Sequence, residues 1–217
     1  MKYKDILFAA VLLAISLFVF LPITNPIFVK LTTNYPYFMG FMKTMVLASM
    51  GETLVRRIKT TSYLGDPGLF LKAIVWGLIG MTFVFVFPLF DGGIKFVFHE
   101  RVFFENLFLN NLCYAFMVSL TMNLIFAPTF MMLHRITDTY IHLSEGSLKK
   151  MKHIKLNHVV DRIDFKFFFS FVILKTIPFF WIPAHTITFM LPATYRVLMA
   201  SYLSMALGIL LSIRRKS

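Results

Sequence analysis

The chain has 217 residues, 58% of them hydrophobic, and a formal net charge of +12. Soluble domains run to about 45–50% apolar residues, so this chain has too little polar surface to enclose its apolar side chains in water, and lipid is the solvent its composition calls for. The one cysteine, Cys113, excludes a disulfide framework or a thiolate metal site within a single chain.

The N-terminal MKYKD leads into an apolar run that ends in FVFLPITNP. No small-x-small cleavage site follows, so the run reads as a retained anchor rather than a removed signal. Six stretches approach the roughly 20 apolar residues a helix needs to cross a bilayer: 6–21, 36–55, 69–90, 107–133, 167–186 and 197–213. Backbone groups in lipid must pair within their own segment, which favours helices over open strands. The expected fold class is an all-α membrane protein, a bundle of about six transmembrane helices. Its parts are an anchor helix and short loop over 1–34, the bundle over 35–213 and a basic tail over 214–217.

If the spans alternate and the N-terminus lies inside, sixteen of the 22 Lys and Arg fall inside and four outside, with Lys43 and Lys175 within spans. The positive-inside rule then places both termini on the cytoplasmic side. This distribution accounts for most of the positive charge without nucleic acid as a partner, since no groove-reading motif accompanies it. In the 135–165 loop, Leu148, Met151, Ile154, Val159 and Ile163 recur at near-helical spacing while Lys149, Lys150, Lys152 and Lys155 fill other faces. That pattern predicts a basic amphipathic helix, with 149–155 lying on anionic lipid headgroups; the alternative is a solvated helix packed on its own bundle.

Ionisable groups inside spans are rare and usually face protein or a water-filled cavity. Glu52 and Lys72 fall at matching depth toward the inside, as do Asp91 and Arg196 toward the outside, so two ion pairs at helix ends are expected. Lys43 and Lys175 have no acidic residue at matching depth. They are candidates to line an aqueous path that favours anions, against the alternative of snorkelling along the Lys stem. Pro128, Pro178 and Pro183 are candidate helix kinks, because proline removes a backbone donor. His185, Thr186 and Thr188 then form a polar cluster suited to the mouth of a pore or to a turn. Asn123, with Asn110 and Asn111, suits interhelical hydrogen bonds.

Several short motifs also stand in a set order. Tyr35-Pro36 is followed by Gly51-Glu52 and Arg56; Gly80 and Asp91 keep their spacing; MNLIFAP supplies Asn123, Phe126, Ala127 and Pro128; Glu145-Gly146 comes next. The closing WIPAHTITFMLPATYRV offers Trp181, Pro183, His185, Thr188, Phe189, Pro192 and Arg196, with Leu211-Ser212 beyond. This order, from Tyr35 to Ser212, resembles the family of peroxisomal membrane proteins and their mitochondrial inner-membrane Mpv relatives. Glu52, Arg56, Val84 and His185 depart from the Asp, Gln, His and Gln of its pattern. The resemblance implies a small helical bundle that forms a solute-permeable pore in a peroxisomal or mitochondrial inner membrane; a prokaryotic source would place it in the plasma membrane.

The expected function is therefore a pore or channel for small solutes, favouring anions, in a chain able to form a homo-oligomer. The alternative is a non-conducting structural protein of the membrane. No catalytic residues, cofactor or metal are expected. His99-Glu100 is followed by Phe103 where a zinc protease needs His, and His142, His153 and His158 are loosely spaced.

Overall fold

In the computed structural model, which describes residues 2–98 and 102–214, every regular element is a helix. Five segments are long and apolar enough to cross a membrane: Tyr3–Phe20, Leu69–Phe98, Leu107–Ile125, Phe165–Met190 and Ala193–Ser212. Their outward faces are apolar; Phe179 is 81% exposed and Phe96 78%, which water would not tolerate over so large a surface. These are the features of an integral membrane protein. In chain order the first helices are α1 (Lys2–Phe20), α2 (Asn25–Asn34), α3 (Pro36–Thr60), α4 (Leu69–Phe98) and α5 (Leu107–Ile125). Then come α6 (Ala127–Leu143), α7 (Leu148–Met151), α8 (Leu156–Val160), α9 (Phe165–Phe167), a π-helical segment (Phe168–Trp181), α10 (Ile182–Met190) and α11 (Ala193–Arg214).

Six spans are expected from the sequence; five helices meet both conditions, and α3 is the remaining one. At 25 residues it extends about 37 Å, but Lys43, Glu52, Arg56 and Arg57 make it the least apolar of the long helices. It lies where such a helix is best shielded, packed against α4 and α11, and buries Gly40, Lys43, Thr44, Leu47, Ala48 and Gly51. The crossing with α4 is close because both helices present glycine there. A Cβ on Gly40 would stand 2.9 Å from the Gly80 carbonyl oxygen, and one on Gly80 would overlap the Gly40 carbonyl. Small residues allow this approach between membrane helices. Against α11, Thr44 and Ser201 share a hydroxyl hydrogen bond of 3.0 Å.

Residues 25–34 form α2 where a short loop is expected; Pro26 sits in its first turn, where the absent N–H costs nothing. α1 is fastened at several depths. Arg57 holds Asp5 with two bonds of 2.8 and 2.9 Å, Ser16 meets Tyr202 at 2.8 Å, and Asn25 donates to the Tyr195 hydroxyl.

The 107–133 stretch divides. α5 ends at Ile125 and α6, with Pro128 in its first turn, runs on to Leu143. Pro178 lies inside the π-helical segment and Pro183 in the first turn of α10. The wider ring shows in the bond from the Ile182 N–H to the Ile177 carbonyl, which spans five residues. The 135–165 loop differs from the single basic amphipathic helix that its periodicity predicts. It holds the short α7 and α8, separated by a turn, and the turn lets Val159 and Ile163 bury at 0% and 7% exposure, with α8 against α6. Lys149, Lys150, Lys152 and Lys155 remain exposed. Gly146, at φ +72°, brings this loop onto the Pro67 backbone, where a Cβ would overlap the Pro67 carbonyl. The His99-Glu100 pair, Arg101 and most of the 214–217 tail lie outside the described residues.

A Gly80→Ala variant should lose ~1–3 kcal/mol, the usual cost of overpacking, and melt earlier in detergent. An unchanged melting temperature would show that α3 and α4 do not touch at this crossing.

Candidate functional site

One end of the bundle gathers the charges. The first turn of α4 presents Lys72, whose Nζ stands 2.8 Å from Asp66, 3.4 Å from Asp138 on α6 and 3.9 Å from Glu52 on α3. One helical turn on, Trp76 donates its indole N–H to Glu52 Oε1 at 2.7 Å and packs its ring against that of His134, 4.5 Å between centres and tilted by 46°. His134 precedes Asp138 by one turn of α6, so residues four apart on two helices meet on one shared face. Asp66 is fixed by the Gly68 N–H at 2.9 Å. Partial burial pushes its carboxyl up, but the Lys72 ammonium and the Gly68 N–H outweigh this and hold it below its ordinary value.

A cavity of about 450 Å³ opens around this cluster, with Arg56, Lys59 and Tyr63 on its wall. A second, of about 960 Å³, shares Lys59 and Asp138 with it and adds Arg135, Arg162 and Asp164. This is the basic end.

Deeper lies a chamber of about 270 Å³ that shares Trp76, His134 and Gly208 with the basic-end cavity. Its walls are mostly apolar and rich in rings, including Phe83, Phe126, Phe130 and Trp181. Asn123 and His185 also line it, 3.1–3.2 Å apart through the Asn amide and His Nδ1. Ser119 donates to the Ile182 carbonyl at 2.7 Å, tying α5 to α10 just beside this pair.

Beyond the chamber the rings close. Phe83 stacks on Phe87 at 5.2 Å, and Phe87 meets Phe189 at 5.3 Å and the edge of His185 at 5.9 Å. Phe87 and Phe189 are 2% and 5% exposed. Pro88, inside α4, leaves the Val84 carbonyl without its backbone donor directly beside this plug. On the far side Phe189 lines another cavity, of about 380 Å³, together with Asp91, Lys95, Asn110, Asn111 and Arg196. Arg196 bonds Asp91 at 3.2 Å, caps the Leu191 and Phe189 carbonyls at 3.0 and 3.1 Å, and covers the Phe189 ring at 5.3 Å.

The structure thus brings together both sequence-matched ion pairs, Glu52 with Lys72 and Asp91 with Arg196. It separates the other candidates. Lys43 is buried and not on any of these walls; its Nζ donates to Thr32 at 3.3 Å and sits 5.0 Å over the Phe28 ring. The helix α2 supplies both contacts. Lys175 lies on the exposed face of the π-helical segment. Thr188 is fully buried and donates to the Ala184 carbonyl of its own helix. Asn123 and His185 do line the chamber. Residues that sequence reasoning missed are Asp66, Trp76, Phe87, His134 and Asp138. The four-residue spacings Lys72–Trp76 and His134–Asp138 were available as signals; Phe87 was one phenylalanine among 27.

No protein-family model, curated protein or solved structure matches this chain. Among the described residues no group of three His, Cys, Asp or Glu is placed to hold a metal ion.

Lys72→Met should leave three neighbouring carboxylates without their shared cation and cost ~1–3 kcal/mol, between exposed and buried ion pairs. Asp66 adds a pH dependence. Its stabilisation is complete above the ordinary carboxylate value of 3.8 and is lost as pH falls from there through the lowered one. An Asp66→Asn variant should therefore melt earlier than the parent at pH 7 and converge on it in acid. Parallel melting curves down to about pH 3 would remove the Asp66–Lys72 bond from the account.

Proposed function

We propose that this protein is a pore for small solutes, closed in the present conformation by Phe87 and Phe189. The observation that carries the reading is the succession of cavities. Charged vestibules open at the two ends of the bundle, and a largely apolar chamber that shares Trp76, His134 and Gly208 with the basic one stops at a single layer of aromatic rings. Hydrophobic constrictions of this kind gate by excluding water.

On this reading α3 is a sixth span, sheltered from lipid by its neighbours, and the basic end faces the cytoplasm or its equivalent. Asp5–Arg57 and the Lys72 cluster then mark one membrane face and Asp91–Arg196 the other. Each mouth has a small cationic surplus: Arg56, Lys59, Lys72, Arg135 and Arg162 against Glu52, Asp66, Asp138 and Asp164 at one, Lys95 and Arg196 against Asp91 at the other. Charged rims select ions by sign, so the pore favours anions through its mouths rather than through Lys43 or Lys175. Exposed Lys149, Lys150, Lys152 and Lys155 meet anionic headgroups beside the basic mouth. The likeness to the peroxisomal membrane protein and Mpv family agrees with a pore, and the cavities support it without that likeness. A non-conducting structural role is the competing reading, favoured by the closed plug and by the pairing of Glu52, Lys72, Asp91 and Arg196.

Solute release from reconstituted vesicles separates the two. Phe87→Ala and Phe189→Ala should each raise flux about tenfold, equivalent to lowering a barrier by ~1.4 kcal/mol. Flux no greater than protein-free vesicles in the parent and both variants would leave only the structural role. In a salt gradient, Lys59→Glu combined with Arg162→Glu should move the reversal potential toward cations, whereas Lys175→Gln should leave it unchanged. The opposite pattern would return selectivity to the spans.

A further inference from the structure

Two residues that line the middle chamber carry polar atoms that the pore reading does not use. Trp181 Nε1 and His185 Nε2 are buried and have no hydrogen-bond partner. Their rings lie 5.0 Å apart and nearly parallel, at 25°, and both residues line the chamber. His185 is only 6% exposed. Its other nitrogen is engaged by Asn123 at 3.1–3.2 Å, so the Asn123 amide fixes the ring while its outer nitrogen is left without a partner. A buried polar group without a partner is costly, and native interiors leave few of them.

We propose that this chamber binds a small, uncharged, planar molecule whose carbonyl oxygen accepts the Trp181 indole N–H. Size sets the first limit. A cavity of about 150 Å³ holds benzene, so about 270 Å³ takes a molecule of about ten non-hydrogen atoms by the same scale. Charge sets the second. The wall has no carboxylate and no lysine, and its one guanidinium, Arg135, also lines the basic vestibule; an ion seated among phenylalanines would lose its hydration without a partner. Shape sets the third, because the flat rings in the wall stack on flat ligands. The last limit is the acceptor. The indole N–H is a donor whatever the state of its neighbours, whereas His185 Nε2 donates or accepts according to which Asn123 atom faces Nδ1. This binding does not depend on conduction: it is read on purified protein, and flux is read in vesicles.

Acetophenone and ethylbenzene test it, since they share a ring and nearly a shape but only the first has the oxygen. Both are titrated against the full chain in detergent, following the thermal midpoint, which rises for any ligand of the native state. Acetophenone should raise the midpoint saturably and bind at least tenfold more tightly than ethylbenzene. Trp181→Phe keeps the ring and removes the donor, so it should bring the two ligands to equal affinity. Tryptophan emission gives a second readout, because Trp76 and Trp181 are the only two in the chain and both line the chamber. Saturable quenching by acetophenone in the parent should be competed by benzamide, which has the same acceptor. Three results would overturn the proposal: equal affinities in the parent, as for a slot that takes acyl chains; a linear, unsaturable response, as for partition into detergent; or a carbonyl preference that survives Trp181→Phe. If Trp181→Phe does not fold, the comparison of the two ligands on the parent decides alone.

Discussion

The structure depends on the close crossing of α3 with α4. α3 carries the charges that lipid tolerates least, and it is stable in a membrane only where other helices replace lipid around it. Gly40 and Gly80 remove the side chains that would hold the two backbones apart, and dispersion contacts then act over a long seam. The same crossing sets the register that brings Glu52 beside Trp76 and Lys72. With bulkier residues at the crossing, the Lys72 cluster would lose its third carboxylate and the vestibule its wall.

From that seam the treatment of polar groups follows one tendency: most are given a protein partner, and two of the exceptions, Trp181 Nε1 and His185 Nε2, sit together. Hydroxyls on helices bond their own backbone one turn back, as Thr188 and Thr186 do. Lys43 reaches a hydroxyl and an aromatic face rather than water. Pro128 and Pro183, in the first turns of α6 and α10, and Pro178, inside the π-helical segment, all fall near the chamber. Asn123, Ser119, Trp181 and His185 there form a polar seam at the junction of α5, the π-helical segment and α10. The two orphan nitrogens of Trp181 and His185 lie in this seam, beside the space that gives a ligand room to satisfy them.

Expectations for individual residues divided along a physical line. Pairs such as Glu52–Lys72 and Asp91–Arg196 were legible because depth in a membrane is counted along the chain at about 1.5 Å per residue, and opposite charges at equal depth attract. The azimuth of a residue around its helix was not legible. Lys175 and Lys43 both lie deep in their stretches, yet one faces outward and the other packs under α2; only the packing of neighbouring helices sets which way each points. The basic loop shows the same limit. Its periodicity was real, but Val159 and Ile163 use it to bury against the bundle, and two short helices achieve this where one long helix would not.

Composition alone determined the solvent. A chain this apolar, with its cations concentrated between a few hydrophobic runs long enough for helices, is suited to fold as helices in a bilayer, because backbone groups in lipid must pair internally. Tertiary structure decided everything that requires two helices to be seen at once: the shelter of α3, the meeting of Asp66 and Asp138 on Lys72, the closure of Phe87 on Phe189, and the chamber between them. These depend on how the helices rotate and cross, and those angles come from shape complementarity between surfaces that lie far apart in the sequence.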